Sequence, residues 1–113
     1  MFKNLIWDSA VYNQDTIFEN MYEWVLETIL FFNNHPQFNL IIRIHPAEHK
    51  ITWWKTRYST LDAILDSGIS LNQNIKVINS NEIFSSYSLM EISDVGLVYT
   101  STTGLEMAID NKP

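Results

Sequence analysis

Short apolar runs alternate along this chain with segments whose apolar residues recur every three or four positions. The run Leu40-Ile41-Ile42-Arg43-Ile44 is rich in β-branched residues, as is typical of a parallel strand covered on both faces. The helical segments between such runs predict crossover helices, which connect parallel strands in a right-handed sense. The alternation therefore predicts an α/β fold: a Rossmann-like parallel sheet of about four strands with helices on both faces.

The predicted elements follow the order βαβαβαβα. The apolar runs place strands at residues 5–7, 40–44, 75–78 and 95–99. The helical spacing places helices at residues 15–32, 54–65, 85–92 and 102–109. In the second helix, Trp54, Tyr58, Leu61 and Leu65 form the apolar stripe expected to face the core, and Ser67-Gly68 provides the stop.

The 113 residues fit a single domain, 1–113, because a chain that is 46% apolar can build a core of its own. The absence of cysteine excludes disulfides and thiolate metal sites. Helix-like residues up to Asp110 lead into Asn111-Lys112-Pro113, a turn that normally introduces another element. We therefore expect this domain to be truncated, as a fragment of a longer protein.

The net charge of −6 arises from 13 acidic and 7 basic residues, with no cluster of Lys or Arg. This distribution argues against a nucleic-acid partner. No apolar run approaches the roughly 18 residues that span a bilayer, and the N-terminal segment is too short and too soon interrupted for a signal peptide. We expect a cytoplasmic protein, peripheral to the inner membrane in its full-length form.

A hydroxyl-rich turn joins the fourth predicted strand to the last predicted helix. It contains Ser101, Thr102 and Thr103, followed by Gly104, which allows a close backbone approach. Ser101 or Thr102 could simply cap the helix. Three consecutive hydroxyls exceed what a cap requires, which favours a phosphate site at the helix N-terminus. The turn has the spacing of neither the GxGxxG fingerprint nor the Walker P-loop.

Glu106 lies in the first turn of the same predicted helix, where a negative charge gains from the helix dipole. A carboxylate one turn beyond a phosphate site could also accept hydrogen bonds from the two vicinal hydroxyls of a ribose. The position alone leaves both interpretations open.

His45 follows a predicted strand and precedes Pro46, which stiffens the local backbone. Its imidazole could donate to a phosphate oxygen or protonate a leaving group, or it could be purely structural, and Arg43 and Glu48 nearby strengthen the functional interpretation. We expect no metal site with His49, because Pro46 disfavours a helix spanning both histidines and no third ligand is evident.

The segments Arg43-Ile44-His45-Pro46-Ala47-Glu48 and 94–108, closing on Asn111-Lys112-Pro113, resemble the C-terminal half of GT-B glycosyltransferases. Within that fold the chain is most similar to the capsule polysaccharide biosynthesis proteins. The resemblance spans residues 40–113, whereas the first 38 residues fit only in pattern. It implies a nucleotide-sugar donor held between two Rossmann-like domains, often CMP-linked Kdo in the capsule group. We expect no other cofactor and no metal.

The resemblance also implies roles for individual residues. The histidine of a His-Pro pair contacts the donor phosphate in similar enzymes, which makes His45 the predicted catalytic residue. Hydroxyls at the start of a later helix hold phosphate, and an acidic residue in that helix binds the ribose. The predicted donor-binding residues are Arg43, Glu48, Ser101, Thr102, Thr103, Gly104 and Glu106.

The chain also departs from that family. A complete GT-B enzyme has an N-terminal domain that usually carries the acceptor site and the catalytic base, and no segment here is long enough to form one. We therefore expect the isolated chain to lack transfer activity, with a polysaccharide or lipid-linked acceptor bound by the absent domain. Absent further strands would expose a sheet edge that favours self-association.

Two alternatives remain open. One keeps the fold and changes the enzyme, to a protein like UDP-GlcNAc 2-epimerase or a CDP-glycerol polymer transferase, both of which use a comparable phosphate turn. The other is a non-catalytic Rossmann-like binding module, in which the turn is only a helix cap and His45 only structural.

Overall fold

The computed structural model describes residues 1–3, 5, 17–50 and 58–113. Its strands are β1 (Phe2–Lys3), β2 (Leu40–Arg43), β3 (Ile75–Ile78) and β4 (Val98–Tyr99). Its helices are α1 (Met21–Asn33), α2 (Ala47–Lys50), α3 (Thr60–Asp66), α4 (Ser86–Ile92) and α5 (Thr103–Ile109). The strands form one parallel sheet in the order β3-β2-β1-β4. The predicted fold class is confirmed.

Alternate residues of β2 point to opposite faces of the sheet, as the twofold period of a strand requires. Leu40 and Ile42 belong to a buried cluster with Val25 and Ile29 of α1 and Ile64 of α3. Ile41 and Val98 pack instead against a second cluster, whose helical members are Leu89 and Met90 of α4 and Met107 of α5. Helices therefore cover both faces of the sheet.

The four strands are joined by ladders of unequal length. Four residue pairs connect β2 to β3, from Leu40 with Ile75 to Arg43 with Ile78. Two pairs connect β1 to β4, and a single pair, Phe2 with Arg43, connects β1 to β2. Strand β1 therefore joins the β2–β3 pair to β4 through only three residue pairs.

The first strand lies earlier than the predicted segment 5–7. Phe2 and Lys3 form it, Leu5 follows it outside the strand, and residues 6 and 7 lie outside the described part of the chain. The apolar pattern missed this strand because one of its two residues is a lysine, and Lys3 is nevertheless buried.

Helix α1 confirms the helix predicted at residues 15–32, but it begins later than predicted. Met21, Val25 and Ile29 are its buried residues. The helix starts after Asn20, whose side-chain oxygen accepts hydrogen bonds from the backbone N–H groups of Tyr22 at 2.9 Å and Glu23 at 3.0 Å. This N-cap satisfies two of the donors that a helix start leaves unpaired, so the capping residue fixes the boundary.

The buried face of α3 differs from the predicted stripe. Thr60, Ala63 and Ile64 are buried, whereas Leu65 is 68% exposed and Tyr58, before the helix, is 41% exposed. The helix begins with a reciprocal capping box between Ser59 and Asp62. Trp54, the first residue of the predicted stripe, lies outside the described residues. No helix within the described ranges is long and apolar enough to cross a membrane.

Strand β4 is shorter than the predicted 95–99. Val95 is 57% exposed, and the N–H of Gly96 donates to the carbonyl oxygen of Pro113 at 2.7 Å instead of joining the sheet. The apolar run 95–99 is therefore longer than the strand β4 that pairs in the sheet.

The strand order places a topological switch point between β1 and β4. The connections from β1 to β2 and from β2 to β3 step in one direction across the sheet, whereas β4 lies on the other side of β1. In open parallel sheets, ligands bind outside the carboxyl ends of the strands at such a point.

Candidate functional site

A cleft of about 630 Å³ opens at the carboxyl end of the sheet, at this switch point. Its volume is in the range of small-molecule sites, about 300–1,000 Å³. The lining residues come from β1, from the end of β2 and the residues after it, from the turn after β4, and from α4 and α5. They are Phe2, Lys3, Arg43, His45, Pro46, Ser86, Tyr87, Met90, Thr100, Ser101, Thr102, Thr103 and Glu106.

Most of the residues predicted for the site lie in this cleft. Arg43, His45 and Glu106 line it together with the hydroxyl turn 101–103, although these segments are up to about 60 residues apart in the chain. Glu48 and Gly104 are not among the lining residues. Lys3, Ser86 and Tyr87 line it and were not predicted, because neither the short strand β1 nor the start of α4 carries a recognisable motif.

The hydroxyl turn is only partly used as a helix cap. The hydroxyl of Ser101 accepts from the N–H of Thr103 at 3.3 Å and donates to the hydroxyl of Thr103 at 3.0 Å. Thr102 occupies the N-cap position of α5 without a side-chain capping hydrogen bond. Capping therefore accounts for Ser101 but not for the hydroxyl of Thr102, which lines the cleft.

Thr100 enters this turn with a backbone φ of 43°. A β-branched residue rarely occupies this left-handed region, because its side chain crowds the backbone. Such strain costs about 1–3 kcal/mol and is concentrated at ligand-binding sites. The backbone of the turn is thus held in a costly conformation where it borders the cleft.

His45 is oriented by the backbone that follows it. Its Nδ1 lies 3.1 Å from the N–H of Ala47, which donates to it. Since Nδ1 accepts, the neutral imidazole carries its proton on Nε2. In this tautomer Nε2 carries the N–H donor of the ring, and His45 lines the cleft.

Glu48 takes part in a buried ion pair beside the cleft. Its carboxylate pairs with the ammonium of Lys3 and accepts from the hydroxyl of Thr60 at 3.1 Å. The side chains of Lys3 and Glu48 are 2% and 4% exposed. Burial lowers the pKa of the Lys3 ammonium, and the carboxylate opposes part of that shift. Glu48 of α2 contacts Lys3 of β1 and Thr60 of α3, so its carboxylate holds these three elements together.

Gly104 lies in the first turn of α5, close to β4. A Cβ atom at this position would lie 2.9 Å from Cγ2 of Val98. The close approach that the sequence suggested for Gly104 is therefore made to a strand side chain, and the glycine sets how near α5 packs to the sheet.

The Gly104→Ala variant should lower the free energy of unfolding by about 1–2 kcal/mol, because the clash with Val98 exceeds the gain in helix propensity. Adding Val98→Ala removes the methyl group that is struck, so the double variant should be more stable than the sum of the two single effects. Urea denaturation of the four proteins measures this coupling. Strictly additive effects would contradict the packing role of Gly104.

Among the described residues, no three His, Asp or Glu side chains come together as a possible metal site. No family model, no curated protein and no solved structure matches this chain.

Proposed function

We propose that this chain forms part of the nucleotide-sugar site of a GT-B-type glycosyltransferase of capsular or surface polysaccharide synthesis. The observation that carries the proposal is the position of the cleft. Residues suited to phosphate and to ribose line one cleft at the topological switch point of a parallel sheet, where ligands of this fold class bind.

The hydroxyl turn 101–103 and His45 supply neutral donors on the cleft wall, and Arg43 supplies a positive charge. This charge is notable in a chain whose net charge is −6. The other lining cation, Lys3, is neutralised by Glu48. A phosphate in the cleft would meet the guanidinium and several donors together, which is how proteins recognise phosphate.

Glu106 completes the proposed site. Within the described part of the chain, its carboxylate has no hydrogen-bond or ion-pair partner, although it lines the cleft. A carboxylate with unused acceptor capacity suits the two vicinal hydroxyls of a ribose. Phosphate at the turn and ribose at Glu106 would then be held about one helical turn apart along α5.

In a complete enzyme, this arrangement would favour departure of the nucleotide. As the bond between sugar and phosphate breaks, negative charge grows on the phosphate oxygens, and preorganised donors stabilise that charge. The Nε2–H of His45 and the hydroxyls of the turn are such donors. The acceptor and its base would come from another domain, so we propose that the isolated chain binds the donor without transferring the sugar.

We expect Glu106→Gln to weaken binding of cytidine and uridine monophosphates by about 10- to 100-fold, because an amide replaces the charged acceptor of the ribose hydroxyls. Binding of inorganic phosphate should be unchanged, since it has no ribose. Isothermal titration calorimetry of the whole chain measures the binding of both ligands. Glu91→Gln, at an exposed position of α4, is the matched control.

Trp24 provides a second measurement, because its ring packs 5.1 Å from that of Tyr99, next to the turn. Nucleotide binding should change its fluorescence, and Trp24→Phe identifies the signal. If no nucleotide binds the wild-type chain, the non-catalytic module is the better interpretation. If nucleotides bind and Glu106→Gln has no effect, the ribose assignment is wrong.

A further inference from the structure

Arg43 connects the cleft to a single loop, the residues 79–84 between β3 and α4. Its Nη1 donates to the carbonyl oxygen of Asn79 at 2.6 Å. Its Nη2 lies 3.4 Å from the carbonyl oxygens of both Glu82 and Phe84. One guanidinium thus holds three backbone carbonyls of the same loop, while the side chain also lines the cleft.

The charge of this guanidinium is buried without a counter-anion in the described part of the chain. Arg43 is 5% exposed, its described partners are neutral carbonyls, and no described carboxylate lies within salt-bridge distance of it. Among the residues that the structure describes, its Nε has no hydrogen-bond partner. A buried cation is costly unless it is paired. Lys3, which lines the same cleft, is a buried cation that is paired in this way, with Glu48.

The loop held by Arg43 leads directly to the cleft wall. It is closed on itself, because the N–H of Asn79 donates to Oε1 of Glu82 at 2.7 Å and the N–H of Glu82 donates to the carbonyl oxygen of Asn79 at 3.2 Å. The next residues along the chain include Ser86 and Tyr87, which line the cleft. Tyr87 is 67% exposed. Fixing the loop therefore also positions the backbone at the start of α4, from which these two residues reach the cleft.

We propose that an anionic phosphate group bound in the cleft acts as the counter-anion of Arg43 and thereby orders the loop 79–84 and the start of α4 up to Tyr87. The proposal takes the ligand's location from the proposed function, but it requires only an anion. Binding would favour the arrangement seen in the structure, in which Arg43 holds these three carbonyls and also lines the cleft. By linkage, the loop is stabilised to the extent that the anion prefers this state.

Hydrogen exchange of the whole chain with inorganic pyrophosphate tests this coupling, with sodium chloride at equal ionic strength as the reference. At 100 times the Kd, exchange through opening of residues 79–87 should slow by up to about 100-fold. Helix α3, which does not line the cleft, provides the internal comparison. Pyrophosphate binding without protection of the loop would overturn the proposal, as would the absence of pyrophosphate binding.

Arg43→Lys tests the role of the guanidinium, because lysine keeps the charge and loses the planar set of donors that reaches three carbonyls. Pyrophosphate affinity should fall by about 10- to 100-fold, and the protection of residues 79–87 should be lost. Lys76→Met removes an exposed cation from β3 and should change neither. If Arg43→Lys does not fold, the wild-type exchange experiment decides alone.

Comparing pyrophosphate with cytidine diphosphate separates this inference from the proposed function. Loop protection by pyrophosphate, with no gain in affinity from the nucleoside, would support the coupling and contradict the nucleotide site. Tight nucleotide binding that leaves the loop unprotected and is unaffected by Arg43→Lys would support the nucleotide site and contradict the coupling. Protection by both ligands, with tighter binding of the nucleotide, is the result expected if both are right.

Discussion

Lys3→Met should lower the free energy of unfolding by about 3–5 kcal/mol, because it leaves the carboxylate of Glu48 buried without its counter-ion. The two side chains are 2% and 4% exposed, and the Thr60 hydroxyl at 3.1 Å cannot neutralise a full charge. Methionine keeps nearly the length of the lysine side chain, so the loss reports charge rather than volume. Urea denaturation followed by circular dichroism measures it.

Two further proteins show whether the loss comes from the unpaired charge. Lys3→Met combined with Glu48→Gln removes both charges and keeps an acceptor for Thr60, so it should recover most of the stability. Lys76→Met removes an exposed lysine and should remain within about 0.5 kcal/mol of the wild type. If the single Lys3 variant matches the Lys76 control, the ion pair does not support the fold.

Ile42→Ala should cost about 2–5 kcal/mol, since this side chain is 0% exposed and lies in the core cluster shared by the sheet, α1 and α3. The loss has two sources, the apolar transfer energy and the cavity that remains. Ile42→Val removes one methylene group and should cost about 0.5–1.5 kcal/mol. Thermal and urea unfolding should give the same ranking.

The matched control for Ile42 is Ile109→Ala on α5, where the side chain is 78% exposed. Its effect should stay within about 0.5 kcal/mol. Equal losses at the two positions would contradict the assignment of the core to this face of the sheet.

The periodicity of the sequence predicted the fold class correctly because most of the core obeys simple local patterns. Val25 and Ile29 lie on a helical stripe, and Leu40 and Ile42 alternate along a strand. Such patterns are properties of a single element. They are visible without knowing what the element packs against.

The elements that were misplaced depend on partners distant in the chain. Lys3 can belong to a buried strand only because Glu48, 45 residues later, pairs with it. Leu65 was expected in the core, yet Ala63 and Ile64 are the apolar residues that α3 buries. Hydrophobicity alone cannot rank neighbouring apolar residues of a short helix, since tertiary packing decides which face turns inward.

The candidate site was predictable in part for the same reason. Arg43, His45, Glu106 and the hydroxyl turn follow or border strand ends, and the carboxyl ends of parallel strands meet at one edge. Glu48 lies near His45 in the chain, but its carboxylate points to the ion pair with Lys3. Tyr87 reaches the cleft through the loop that Arg43 holds, which is a long-range contact with no local signal.

The unequal ladders of the sheet have a consequence for the energetics of binding. Four pairs join β2 to β3, whereas β1 is joined by two pairs to β4 and by one to β2. The segment from β4 through α5, which carries five of the thirteen residues that line the cleft, should therefore open at lower free energy than the β2–β3 half of the sheet. A ligand that bridges the two halves would act as an additional crosslink across the sheet.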